Sequence, residues 1–209
     1  YISDPLEDPI VRFKSVNFDL LPRALRVLHL DFRDDYKLFA DFIDECGEGV
    51  NRFPQIKVVD ISGQGETTRL SLPMFPTLEV WHIWEDHCPG GLPSFAPMLK
   101  ILAIKLLPND SSSHLLSPLE LPETLTTCKI SQRSSAISLA DFARFPAGLT
   151  CLDLRVALDF GMDTSVLPRG LKTLRLTVSS SVTITDAFLT NLPPELRKLD
   201  LGYHVSVKQ

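Results

Sequence analysis

At 209 residues, 44% hydrophobic and 22% charged, the chain is long enough for one substantial core and has the composition of an ordinary soluble domain. A net charge of −5 and a pI near 5.5 argue against nucleic acid as the main partner, since phosphate recognition needs a basic stripe. No run of residues reaches the apolar length needed to cross a bilayer, so no membrane partner is expected.

Residues 1–20 come before any repeating pattern. Within them Val11, Phe13, Val16 and Phe18 are apolar, which suits an N-terminal cap or partial repeat. The chain opens on Tyr1 instead of Met, so an excerpt or a processed product is expected. From residue 21 to 209 a single phrase recurs and marks one continuous domain. It consists of proline, a short gap, an apolar residue, two variable residues, an apolar residue, one variable residue and a final apolar residue. The clearest copies are Leu21–Leu30, Phe145–Leu154, Leu167–Leu176 and Leu192–Leu201. Looser copies are Phe53–Ile61, Phe75–Ile83, Ala96–Ile104 and Leu121–Ile130.

The first apolar anchors are Leu25, Ile56, Leu78, Leu99, Leu125, Leu149, Leu171 and Leu196, spaced about 24 residues apart on average. The fourth position holds Leu28, Val59, Trp81, Leu102, Cys128, Leu152, Leu174 and Leu199. The sixth holds Leu30, Ile61, Ile83, Ile104, Ile130, Leu154, Leu176 and Leu201. Apolar residues alternating with variable ones predict strands buried on one face. Each strand is too short to bury that face alone, so stacked neighbours must supply the core. The pattern predicts eight parallel strands side by side, a sheet about 35 Å wide. Proline ahead of each strand suits a position where a missing N–H costs least.

Between the phrases the chain must return. The legs carry apolar anchors at Leu38 and Phe42, Leu70 and Leu72, Leu92 and Phe95, Leu115 and Leu119, Leu139 and Phe142, Val166, and Phe188 and Leu189. Leu38, Phe39, Phe42 and Ile43 fall at helical spacing and predict a helix over Asp35–Cys46. Ser138–Arg144 and Thr185–Asn191 suit helices of one or two turns, and the other legs read as irregular. The serine runs at 111–113 and 179–181 are polar loops, because the register resumes after each.

These phrases resemble the leucine-rich repeat family over roughly Leu20 to Tyr203. The leading Leu-Pro or Phe-Pro is most similar to irregular repeats of protist and fungal proteins and of bacterial effector ubiquitin ligases. The resemblance implies an α/β solenoid, an arc with the parallel sheet on its concave face and short or irregular return legs. The chain departs from the family three residues after the sixth position, where the family usually has Asn or Cys. Here those places hold Arg33, Gln64, Asp86, Leu107, Arg133, Ala157, Ser179 and His204, so there is no asparagine ladder.

Secreted members of the family commonly close their ends with clustered disulfides, and neither end has such a cluster. Cys128 is at an inward position and Cys151 at an outward one on the next strand, so they should not meet. Free thiols point to a reducing, intracellular compartment, with the cytoplasm expected; the triplet Asn109-Asp110-Ser111 pulls the other way.

Positions three, five and seven of each phrase should face outward. Position five reads His29, Asp60, His82, Ala103, Lys129, Asp153, Arg175, Asp200, and position seven reads Asp31, Ser62, Trp84, Lys105, Ser131, Arg155, Thr177, Gly202. The second half of the fifth row alternates in sign, and opposite charges on neighbouring strands stabilise a sheet, so a self-satisfied ladder is the plain reading. The first half is more suggestive. Trp84 at an outward position is the residue type that most often anchors interfaces, and it is as well read as covered by the Glu85–Gly91 segment. The residues expected to meet a protein partner are Asp60, Ser62, His82, Trp84, Lys105 and Arg155.

His29, Asp60 and His82 share one position on three successive strands, and His82, Asp86, His87 and Cys88 make a second set of donors. Neither has the spacing of a known metal module, and a surface hydrogen-bonded pair is the more economical reading, so neither metal nor cofactor is expected. No glycine-rich phosphate loop, Gly-x-Ser-x-Gly elbow or His-Glu-x-x-His occurs, and the chain reads as non-catalytic. Lys129, Asp153 and Arg175 beside Cys151 could lower its thiol pKa, yet no histidine accompanies it. The expected function is a protein-binding scaffold, as in an adaptor or a ubiquitin-ligase substrate receptor. Two alternatives are a structural subunit held through its ends, which read as uncapped, and the substrate-recognition part of a larger enzyme such as an effector ubiquitin ligase.

Overall fold

The computed structural model describes residues 24–32, 55–66, 77–87, 97–106, 121–136, 145–158, 164–179 and 186–204. They form a solenoid-like array of eight strands: β1 Val27–Phe32, β2 Val58–Glu66, β3 Val80–His87, β4 Ile101–Leu106, β5 Thr127–Ala136, β6 Cys151–Leu158, β7 Thr173–Ser179 and β8 Lys198–His204. All pair in parallel, and the order across the single sheet is the order along the chain.

The phrase sets the register. Leu28 pairs with Val59, Val59 with Trp81, Trp81 with Leu102, and the row runs on through Cys128, Leu152 and Leu174 to Leu199. The longest gap, between the first two copies, does not displace it, because a one-residue slip would turn every apolar side chain to the other face. Ile56, Leu78, Leu99, Leu125, Leu149 and Leu171 are fully buried at the first position, as are Val59, Trp81, Leu102, Cys128, Leu152 and Leu174 at the fourth. Ile61, Ile104, Ile130, Leu154 and Leu176 complete the core at the sixth.

A second ladder ties the strand starts together. The carbonyl of the residue after each anchor accepts from two successive N–H groups of the next rung: Lys57 and Val58 donate to Arg26, Glu79 and Val80 to Lys57, and so on to Arg197 and Lys198 on Lys172. Proline opens the turn that delivers the chain to this ladder. In the later copies the anchor N–H donates to the proline carbonyl three residues back, Leu125 to Pro122, Leu149 to Pro146, Leu171 to Pro168 and Leu196 to Pro193, each at 3.0–3.1 Å. The proline therefore serves as the first residue of a turn, ahead of the strand itself.

Helix is sparse among the described residues: one 3-10 turn at Thr164–Val166 and one short helix, α1, at Asp186–Thr190. The latter matches the expectation for Thr185–Asn191. The helices expected at Asp35–Cys46 and Ser138–Arg144 lie outside the described residues, as do residues 1–20, so what is described is a β-sheet structure. Of the expected return-leg anchors in the described residues, Phe188 is buried as expected, whereas Val166 and Leu189 are exposed and Leu167 is buried beside Val166. Thr164 is buried as well and donates its hydroxyl hydrogen to the Phe188 carbonyl at 2.8 Å, tying one return leg to the next.

The strands also run further than the phrase predicts. The places where leucine-rich repeats usually carry Asn or Cys fall inside β2, β3, β5, β6, β7 and β8, at Gln64, Asp86, Arg133, Ala157, Ser179 and His204. Backbone pairing continues there, and it does so irregularly. The register shifts between Gly63 and Glu66, between Ser131 and Ala136, and between Leu154 and Leu158.

Candidate functional site

The outer face of the sheet is where the eight rungs differ. Strands β2 to β7 are paired on both sides, so their backbone groups are committed to the sheet and only side chains distinguish one part of this face from another.

At its first end, His29, Asp60 and His82 are register partners on β1, β2 and β3. Both imidazoles turn Nδ1 toward the same oxygen, Asp60 Oδ2, at 3.4 Å for His29 and 3.8 Å for His82. The sequence spacing anticipated this group. Among the described residues no set of three His, Cys, Asp or Glu side chains has an arrangement that could hold a metal ion. The second donor set, Asp86, His87 and Cys88, falls outside the described side chains.

At the other end the charges alternate as expected and make contact. Asp153 Oδ2 lies 3.3 Å from Arg175 Nη1, and Arg175 Nε lies 2.9 Å from Asp200 Oδ2, with its N–H directed off that line. Arg155 Nε donates to Asp153 Oδ1 at 3.4 Å. The expectation placed Asp153 outward as one rung of a self-satisfied charge ladder, and its contact with Arg175 agrees with that. It sits at the outward position, yet only 7% of it is exposed, because the two arginines close over it.

Between these ends a hollow of about 310 Å³ opens over β3 to β6. Its floor comes from Ala103, which pairs with His82 on one side and Lys129 on the other. A methyl group between an imidazole and a lysine chain leaves a gap that a larger residue would fill. The next outward row supplies Lys105, Ser131 and Arg155, register partners on β4, β5 and β6. Adjacent strands lie about 4.8 Å apart, so the Ser131 hydroxyl has a lysine and an arginine as its immediate lateral neighbours.

Of the six residues expected to meet a partner, His82, Lys105 and Arg155 line this hollow. Asp60 belongs to the histidine group beside it, and Ser62 pairs with Trp84 in register, which pairs with Lys105. Trp84 is thus placed on β3 in the expected row; its side chain lies outside the described ones. Ala103, Lys129 and Ser131 line the hollow too and were not among the expected residues. The signal for them was a short residue, Ala103, in row five beside Lys129, with Lys105 and Arg155 flanking Ser131 in row seven.

A third charged group lies where the strands start. Lys57 Nζ donates to Glu79 Oε1 at 2.7 Å and Lys100 Nζ to Glu79 Oε2 at 2.8 Å, so one carboxylate clips three rungs. The bond from Lys100 and then that from Lys57 hold the Glu79 carboxyl down at about 2. Hydroxyls join the same edge: Thr124 donates to the carbonyls of Pro97 and Leu99, Thr126 to Lys100 and Thr150 to Thr126.

Cys128 and Cys151 are free thiols. Burial pushes Cys128 up to about 12. A lowered pKa for Cys151 was conceivable from its basic neighbours, and this is corrected. Partial burial raises it, outweighing the opposing pull of Lys129, Arg175 and Lys198. Neither thiol is activated as a nucleophile.

No protein-family model, curated protein or solved structure matches the chain.

Proposed function

We propose that the chain is a non-catalytic binding module of the leucine-rich repeat kind that recognises a protein partner through the outer, concave face of its sheet. What supports the reading is a contrast in side chains: the core positions repeat from rung to rung, while the outward rows change charge, size and hydrogen-bonding character at nearly every strand. A sheet face serving only to close a core needs no such variety. Asp60, Ser62, His82, Trp84, Lys105 and Arg155 form the recognition surface, of the sort an adaptor or ubiquitin-ligase substrate receptor presents. The test compares proteins retained by the unaltered chain with those retained by a His82→Ala, Trp84→Ala, Lys105→Ala variant. A partner lost only with the variant supports the reading, and undiminished capture removes the site.

A second reading, a structural subunit within a larger assembly, is favoured by one observation. Leu199 occupies a core position on β8 and remains 36% exposed, whereas its equivalents on β2 to β7 are fully buried. That apolar surface suits a neighbouring rung or subunit. Native mass separates the two readings, because a monomer that captures a free partner contradicts an obligate assembly.

A further inference from the structure

We infer that the hollow over β3 to β6 takes a compact oxyanion, a carboxylate or phosphomonoester, carried on a peptide side chain of the partner. The inference rests on the recognition reading above and names the chemistry of its central contact.

Among the described residues that line the hollow, Lys105, Lys129 and Arg155 are cationic and Asp153 is the one acid, in a chain whose overall charge is −5. That acid does not repel an arriving anion. It is 7% exposed and is met on one oxygen by Arg155 and on the other by Arg175. Arg155 reaches it through Nε, so its two terminal nitrogens take no part in that contact. The guanidinium is consequently oriented by one carboxylate while keeping its forked end for another, the geometry that favours bidentate oxyanion binding.

Ser131 adds a neutral hydroxyl between Lys105 and Arg155, able to donate to the same oxyanion. Lys129 stands two residues before it on β5 and so projects from the same face. Ala103 gives the depth that brings these groups around a ligand instead of beside it. The volume is at the small end for ligand sites, which fits one side chain and excludes a bulky cofactor. Because the backbone here is fully paired in the sheet, added-strand recognition is ruled out on this face.

Titration of the isotope-labelled 209-residue chain, followed by backbone amide shifts, tests this. The probes are acetyl-Gly-phosphoSer-Gly-amide, acetyl-Gly-Glu-Gly-amide, the uncharged Ser peptide, inorganic phosphate and a short oligothymidylate. The anionic peptides should give saturable shifts centred on Lys129, Ser131 and Arg155, and the uncharged peptide none. Lys129→Gln with Arg155→Gln should weaken binding by about tenfold or more, since charge-assisted bonds are lost. Ala103→Leu should do the same with every charge retained, which separates a shaped hollow from a diffuse basic patch. Lys172→Gln with Arg197→Gln, at the strand starts, should leave binding within about twofold after the general change in charge. No saturable shift with either anionic peptide, or an Ala103→Leu variant that binds normally, overturns the inference. Inorganic phosphate or oligothymidylate binding more tightly than both peptides overturns the peptide assignment. A chain that takes no anion and still loses its partner through the His82, Trp84, Lys105 substitutions sinks this inference alone and leaves the recognition reading standing.

Discussion

The two faces of this sheet are made by the same strands, yet they obey different rules. Toward the core, one apolar requirement repeats from strand to strand, and leucine, isoleucine, valine, cysteine or tryptophan meets it. Toward the outside no requirement repeats. A histidine pair around Asp60 gives way to a hollow floored by Ala103, and that to an arginine–aspartate ladder. The difference teaches where stability resides and where it does not: the apolar face holds the fold, and the varied face is free to specialise at small cost.

The sharpest way to break that division is through the core. Among the described residues Trp81 is the largest fully buried side chain, and Trp81→Ala should cost about 3–5 kcal/mol in chemical denaturation. Leu199→Ala, at the equivalent position on β8, should cost only about 1 kcal/mol, since part of that side chain is already in water. Equal losses at the two sites would mean that β8 buries its fourth position as fully as the inner strands do, against the exposure of Leu199.

The one outer residue expected to behave like core is Asp153. Asp153→Asn keeps its shape and removes the charge that orients two guanidiniums, which should cost about 1–2 kcal/mol. Its partner Arg155 is mostly exposed, and Arg155→Gln should cost less than about 0.5 kcal/mol. If the two substitutions proved equally costly, Arg155 would be a structural residue and a poor choice for ligand recognition.

The core face was legible in the sequence because it depends on a repeated local pattern. Period-two alternation gave the strands, and the constant spacing from each anchor to the fourth and sixth positions gave the lateral register, even across the longest gap. The outer face was legible only in part, since its properties arise from neighbours brought together by stacking. The histidine–aspartate group and the charge ladder could be read by aligning one row. The hollow could not, because it needs two rows and the size of Ala103 against His82 and Lys129. Nor could the burial of Asp153, which follows from the reach of two arginine chains. In the return legs Phe188 was read correctly, while choosing Val166 over Leu167 and adding Leu189 failed for a related reason: two adjacent apolar residues compete for one inward place, and hydrophobicity alone does not decide between them.

Acid sharpens the comparison from another side. Glu79 has its folded pKa lowered from 4.5 to about 2 by Lys100 and Lys57. Its contribution is therefore present above pH 4.5 and is lost as pH falls toward 2. Glu79→Gln should lower stability at neutral pH, and the gap between it and the unaltered chain should close across that window. A gap that persists at pH 2 would show that the two lysine bonds act through shape and not through charge.

The smallest expected effect concerns the thiols, and it sets the two faces against each other within a single pair of neighbours. Cys128 faces the core with its pKa at about 12, while Cys151 on the adjacent strand faces outward, half-buried, with a more modest upward shift. The thiolate is the reactive form, so both should label slowly with iodoacetamide at pH 8, Cys151 ahead of Cys128. Adding a mild denaturant should bring Cys128 up only as the chain unfolds globally, because its access requires opening the core between β4 and β6. Cys151 should label without unfolding, through its already exposed fraction. Should Cys128 react first in native conditions, the inward assignment of the fourth position on β5 would fail, and with it the separation of faces from which the hollow is built.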